Sequence, residues 1–516
     1  MKIKKNKLLI VNLVSLCLVI LGTFIPSLIR SGGGTAAVNK ISLSEETKVI
    51  SALLYIPRDI SSDQPAPAAL IVPDFNAEAS WRENAALELA AKGYVVMSLD
   101  TYGQRWSSSG TSAPKDGGVY AAVQYLGTLS IVDNAKIGVL ASGLGEMQAI
   151  AAVERASGEG GVKPKEIFSS QSIADIINDF RSLDEGAAPA EKLPFGWLWR
   201  EIFAGLGFAG FFTFLISFAL LLLGTSFFAG FARPEPHSPA YPRKTGNKIL
   251  YVLIIILLFL IPAVLYNWAM GVPVDFRTAN VQESYPLTAS LLLPSPAANG
   301  YLLFAAAAAV LSIALFCLAY SLGMKKHGAN FGNIGLKLSP ASVGKSALLG
   351  FAVFAAGYLL LALCEFFFGT GIVFLNFSLE TLSPARSGMW LVYAVLFAPS
   401  ALAEGLVLNN FVRRRLASEK FSMFMIILIN CGGLLLLCLA NYISLAATGT
   451  KLLPESLIAG TSTAVSDPLL ARFIPVLAFN AVSARLLFRK TGTVWAGSFL
   501  NAFVLALFAL SSTGVI

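Results

Sequence analysis

Charge is what this chain has least of. Only 13% of its 516 residues are Asp, Glu, Lys or Arg, about half the share of an average soluble protein. That is too little to cover a globule of this size, which excludes an ordinary soluble enzyme and a disordered chain. Histidine is scarcer still, with two copies, His237 and His327. Cysteine appears only as Cys17, Cys317, Cys364, Cys431 and Cys438. All five fall in apolar runs and none forms a C-x-x-C pair, which excludes a disulfide scaffold and argues against a thiolate metal centre. No metal and no cofactor is expected.

Apolar residues, at 55%, supply the bulk. A spanning helix needs about 20 of them in a row. Nine runs approach that length: 8–29, 200–231, 248–270, 299–323, 343–368, 388–411, 421–444, 469–488 and 493–514. The first follows Lys2, Lys4, Lys5 and Lys7 and is longer than the roughly 7–15-residue core of a signal peptide, so an uncleaved anchor is expected. The expected fold class is a polytopic α-helical membrane protein of about nine spans with one watery α/β insert. The domain reading is 1–30 anchor, 31–195 extracytoplasmic α/β domain and 196–516 eight-span membrane domain.

Orientation follows from where the short loops keep Lys and Arg. One set of loops holds Lys2, Lys4, Lys5, Lys7, Arg233, Arg243, Lys244, Lys248, Lys325, Lys326, Lys337, Lys345, Arg413, Arg414, Arg415, Lys420, Arg485, Arg489 and Lys490. The opposite set holds only Arg277, Arg386, Lys451 and Arg472. This places the N-terminus in the cytoplasm, with residues 31–195 and the C-terminus outside the plasma membrane. The net charge of +8 then reports topology, with the lipid bilayer as the expected partner and no nucleic acid. An envelope protein or a small-molecule ligand is the further partner class left open.

Ser31-Gly-Gly-Gly34 reads as a flexible exit from the first span. Val49–Pro57, residues 65–75, Tyr94–Asp100 and Lys136–Leu140 read as strands, and Trp81–Lys92, Val119–Leu129 and Glu146–Ala156 as helices. Strands alternating with helices predict a parallel sheet. The stretch LIVPDFNAEASWRENAALELAAKGYVVMSLDTYGQRWSS, with Asp100-Thr-Tyr-Gly103 at a strand end, resembles the front half of an α/β-hydrolase. VDNAKIGVLASGLGEMQAI resembles the strand–elbow–helix of the same family. The likeness covers about residues 45–160 and points to membrane-anchored bacterial hydrolases of the dienelactone-hydrolase or prolyl-oligopeptidase type.

In that alignment the nucleophile position of the G-x-S-x-G elbow falls on Gly143. Ser142 is its neighbour and the weak catalytic candidate. A Ser-His-Asp triad needs an imidazole, yet both histidines lie in loops assigned to the cytoplasm. Pro73-Asp74 replaces the family's His-Gly, and after Glu166-Ile-Phe168 there is little room for the last two strands. A truncated domain without the triad is therefore expected. Gly143 and Gly145 would serve close packing, and a ligand crevice at the strand ends would be lined by Asp74, Asn76, Tyr102, Arg105, Trp106 and Ser142.

Polar residues inside spans usually face the bundle interior. Glu404, Asn430, Asn441, Asn480 and Asn501 form the expected intramembrane cluster, with Asn409 and Asn410 nearer the cytoplasm and Glu365 interfacial. Ala398-Pro-Ser-Ala-Leu-Ala-Glu404-Gly-Leu-Val-Leu-Asn-Asn resembles the Glu-Glu-x-x-x-Arg region of the intramembrane CAAX-protease and bacteriocin-processing family. Glu404 is kept there, while Gly405 and Asn409 stand for the second Glu and the Arg. The expected role is a non-catalytic protein of the bacterial cell envelope used for binding, sensing or scaffolding. Two alternatives stand beside it: a membrane-anchored hydrolase with unconventional or partner-supplied residues, and a transporter-like bundle using Glu404.

Overall fold

The computed structural model describes residues 5–31, 36–45, 48–73, 79–108, 114–169, 173–183, 196–236, 245–270, 290–337, 339–375, 377–411, 418–448 and 466–514. The expected glycine exit lies mostly outside these residues. Helix α1 (Lys5–Arg30) leads to strands β1 (Ala36–Glu45), β2 (Lys48–Pro57) and β3 (Ala66–Val72). Helix α2 (Ala79–Ala91), β4 (Val95–Asp100), α3 (Val119–Thr128), β5 (Val132–Ala141), α4 (Leu144–Glu159), β6 (Glu166–Phe168) and α5 (Ile173–Arg181) follow.

The six strands stand in the order β1-β2-β4-β3-β5-β6. Strands β3 and β4 are almost wholly buried, because α3 and α4 pack on one face and α2 and α5 on the other. Continuous apolar runs are what such doubly covered strands require. The expected parallel sheet needs correcting: β4, β3, β5 and β6 run parallel, but β1–β2 and β2–β4 are antiparallel. Glu45 pairs directly with Lys48, and a connection that short can close only an antiparallel hairpin.

The described residues after α5 are mainly helical. They comprise α6 (Gly196–Leu223), α7 (Ser226–Ala229), α8 (Thr245–Met270), α9 (Pro296–Ala319) and α10 (Pro340–Phe368). After a hairpin of β7 (Ile372–Phe374) and β8 (Phe377–Leu379) come α11 (Pro384–Phe411), α12 (Glu419–Thr448), α13 (Ser466–Thr491) and α14 (Trp495–Ser511). Among the described residues eight helices are long and apolar enough to cross a membrane. The ninth expected run forms only α14, of 17 residues, about 25 Å long against a hydrocarbon core of about 30 Å. It is a nearly fully buried helix packed against α10, α11 and α13.

Helix packing is close where side chains vanish. A Cβ on Gly22 of α1 would sit 2.3 Å from the Gly207 Cα of α6. One on Gly433 of α12 would meet the Phe259 carbonyl of α8 at 2.0 Å. Small residues at such crossings let backbones touch, which gives dispersion contact without a hydrophobic drive.

The α/β unit rests on one end of this bundle through buried ionic contacts. The Arg200 guanidinium of α6 is 2% exposed and donates to Glu83 at 2.6 Å and Asn84 at 2.8 Å, both on α2. Arg386 of α11 donates to the Gly103 carbonyl at 2.7 Å, and to the Leu510 and Thr513 carbonyls. Burial alone would raise the Glu83 carboxyl, but Arg200 and then Arg30 outweigh it and hold it below its ordinary value of 4.5.

Removing one partner of a buried pair strands the other charge, at about 3–5 kcal/mol. Arg200→Ala is therefore expected to lower stability by that amount in unfolding of the full chain in detergent. Because the folded Glu83 pKa is depressed, its contribution is present above pH 4.5 and fades as pH falls through the folded value. An acid titration should show that loss in wild type and not in Glu83→Gln.

Candidate functional site

Strand β5 ends at Ala141, and the chain turns into α4 at Gly143 with φ 53° and ψ −120°. That is a strained strand-to-helix elbow, the geometry that presents a nucleophile in the α/β-hydrolase pattern. Glycine adopts it without a Cβ penalty, and it offers no side chain. Gly145 has the separate packing role expected of it: a Cβ there would lie 2.7 Å from the Pro73 carbonyl. The expected packing role of Gly143 is better described as conformational. Ser142 is half-buried beside the elbow. His327 follows α9 at the end of the bundle remote from the sheet, and His237 lies outside the described residues.

The expected strand-end crevice is only partly assembled. Asp74 and Asn76 lie outside the described residues. Tyr102 turns away, its hydroxyl donating to Glu45 at 2.9 Å. Arg105 and Trp106 line a cavity of about 340 Å³ together with Asp100 of β4. Ser142 does not line it. The bundle supplies the other wall of this cavity through Arg30, Ala362, Glu365, Phe366, Thr370 and Glu380.

Arg105 decides that closure. Its φ of 38° puts a non-glycine residue in the left-handed region, a conformation costing about 1–3 kcal/mol that the surroundings must hold. The holder is Glu380, which follows the β7–β8 hairpin and accepts both Arg105 Nε, at 2.9 Å, and Nη2. Asp100 adds a longer pairing at 3.9 Å. Burial disfavours the Arg105 charge, yet Glu380 and Asp100 more than offset it, so its pKa stands above the usual value. Across the cavity the Lys40 ammonium sits 3.8 Å from the Trp106 ring centroid, a cation–π contact. Burial, and then the Arg105 charge, lower the Lys40 pKa. Glu365, expected to be interfacial, ends α10 here and accepts from the Thr381 amide at 2.7 Å and from its hydroxyl.

The second candidate place lies inside the bundle. Asn430 of α12 donates to Glu404 of α11 at 2.6 Å and to the Leu477 carbonyl of α13 at 2.9 Å. Asn501 of α14 donates to the Asn480 carbonyl at 2.9 Å and accepts from Ser483. Glu404 and Asn430 line a cavity of about 80 Å³ with Ser312 and Ser400. Asn441 does not join this group: eleven residues further along α12, it is about 16 Å away. Asn409 donates to the Gly405 carbonyl, and Asn410 to the Ile334 and Leu406 carbonyls. The positions matching the second Glu and the Arg of the protease motif therefore serve helix structure.

Sequence reasoning missed Arg30, Lys40, Arg200 and Glu380. A signal existed for two of them: Arg30 and Arg200 end and begin apolar runs on the side that the charge rule keeps poor in arginine. Such arginines need a buried reason to be there.

No family model matches the chain, and no curated protein matches it. Solved structures match about a quarter of it. A hyperthermophilic esterase from the archaeon Pyrobaculum calidifontis is 22% identical with a TM-score of 0.22, covering 27% of this chain and 46% of that one. An α/β hydrolase, MGS-M1, from a Medee basin deep-sea metagenome library is 22% identical with a TM-score of 0.20, covering 26% and 55%. A thermostable esterase from Pseudomonas putida is 17% identical with a TM-score of 0.21, covering 26% and 41%. The chain thus spans about half the length of the solved structures it matches.

Adding a methyl group at the elbow tests its strain. Gly143→Ala is expected to cost about 1–3 kcal/mol in denaturant unfolding. Gly158→Ala, where a Cβ would meet nothing within 4 Å, should be neutral or stabilising.

Proposed function

We propose that the chain is a non-catalytic integral membrane protein of the bacterial cell envelope, whose extracytoplasmic α/β unit binds a ligand at its strand ends. The observation that carries this reading is the elbow: the strained turn is kept at Gly143, while the side chain that would attack is absent. Ser142 beside it has no imidazole within the α/β unit to take its proton, as nucleophilic catalysis by serine requires. The bundle walls off the end of β4 instead, and Ser142 does not line the cavity formed there.

The orientation reading also gains support. At the sheet end, the described arginines Arg30, Arg200, Arg386 and Arg472 are all buried. At the other end Arg233, Lys248, Lys325, Lys326 and Lys490 are exposed, as cytoplasmic loop cations should be, while Arg485 is buried against Glu235 and Glu419. A fluorophosphonate serine probe tests the catalytic status. The purified protein should remain unlabelled, and Gly143→Ser should not hydrolyse simple esters. Labelling that disappears in Ser142→Ala would replace this reading by the active hydrolase.

A second reading, a transporter-like bundle, is favoured by one observation, the cavity of about 80 Å³ beside Glu404 and Asn430. Interhelical hydrogen bonds of this kind contribute about 0.6–2 kcal/mol. Glu404→Gln keeps an acceptor for Asn430, so a purely structural role predicts normal melting and normal growth of the host. Normal melting with lost function would favour the pathway.

A further inference from the structure

Of the guanidinium groups buried where the sheet meets the bundle, Arg30 and Arg386 have no carboxylate within ion-pair distance among the described residues. Arg82 pairs with Asp100 at 3.4 Å, Arg105 with Glu380, and Arg200 with Glu83 at 2.6 Å. Arg386 spends its donors on three carbonyls. Arg30 is 8% exposed and makes a single hydrogen bond among the described residues, to the Gly369 carbonyl at 3.0 Å, although a guanidinium has five donors. Carbonyls at the ends of α1 and α10 offset part of its charge. Its accessible remainder faces the cavity of about 340 Å³, a volume suited to a small ligand.

The lining is unbalanced in the same direction. Asp100 and Glu380 pair with Arg82 and Arg105, while Glu365 accepts only from the neutral Thr381 and keeps its charge. Lys40, held over Trp106, has no carboxylate partner among the described residues and faces the same space. Outside the two ion pairs the lining holds Arg30 and Lys40 against Glu365, an excess of positive charge. One edge of the lining is apolar: Ala362 and Phe366 belong to α10, and Phe366 is 81% exposed on the outer surface of the bundle. A ligand that fits has an anionic head and an apolar part that leaves past Phe366.

We propose that this cavity binds the phosphate of a phospholipid headgroup, with Arg30 and Lys40 as its anchors. Guanidinium and ammonium groups both suit phosphate oxygens, the former through a planar fork. This proposal rests on the reading of the strand ends as a ligand site facing the outer leaflet. Free phosphate would meet the same two cations and is distinguished by the test.

The full chain, purified in mild detergent and stripped of lipid, is titrated with phosphatidylglycerol, with diacylglycerol and with inorganic phosphate, and binding is read by native mass spectrometry. Phosphatidylglycerol should bind at one site, diacylglycerol should not, and Lys40→Gln and Arg30→Gln should each weaken binding about tenfold or more. Lys40 is an exposed strand residue, so its variant keeps the test valid if Arg30→Gln fails to fold. Inorganic phosphate that binds as tightly, with the same dependence on both residues, keeps the anchors and replaces the lipid by the free ion. Equal retention of phosphatidylglycerol by wild type and both variants overturns the proposal. So does an absence of binding by a wild-type protein whose Arg105 segment stays protease-resistant. That last result leaves the non-catalytic reading standing, since serine-probe labelling of the same preparation reports on it separately.

Discussion

Everything distinctive about this chain depends on the buried ionic seam between sheet and bundle. Arg200 reaches up from α6 to Glu83 and Asn84, Arg386 reaches to Gly103, and Arg105 reaches down to Glu380. An apolar contact would allow the two parts to slide, because it has no direction. Hydrogen-bonded ions accept one geometry, and each one left unpaired would cost several kcal/mol. The seam therefore turns two substructures into one unit. It also decides which edge of the sheet faces the bundle, namely the ends of the parallel strands, where open α/β sheets hold ligands.

That choice of edge leaves Ser142, beside the elbow, outside the cavity that the bundle walls off. The elbow between β5 and α4 still takes a left-handed φ at Gly143, so the sheet-to-helix packing around Gly145 and Pro73 is preserved. The candidate site is the cavity roofed by β4 and floored by α10 and the hairpin. Its character is ionic, as the strained Arg105 and the stacked Lys40–Trp106 pair show.

Much of the fold was legible because burial writes itself into composition. Apolar runs marked the helices, and continuous runs at 66–72 and 95–100 marked the doubly covered strands. The first strand was not legible: Ala36–Glu45 mixes Asn39, Lys40, Ser42 and Ser44 with its apolar residues, as an edge strand with exposed positions does, and was passed over beside a glycine-rich exit. The length of α14 was overestimated for the opposite reason. A helix buried among its neighbours is as apolar as one that faces lipid, and composition does not separate them. Of the candidate residues, Arg105 and Trp106 were found by their place after a strand end. Their partners Glu380 and Lys40 come from elements far away in sequence, and no local pattern links them. Glu404 and Asn430 were legible because polar groups inside apolar runs are conspicuous. Asn441 shares their helix face, but pairing depends on height along the helix as well as on face.

The central claim is that the strand-end loop is locked onto the bundle. Amide hydrogen exchange of the full chain in a bilayer disc measures it directly. Residues 101–108 should be protected together with the β7–β8 hairpin, and Glu380→Gln should speed exchange in both segments. Exchange of 101–108 at the rate of an unstructured loop in the wild-type protein would contradict the account.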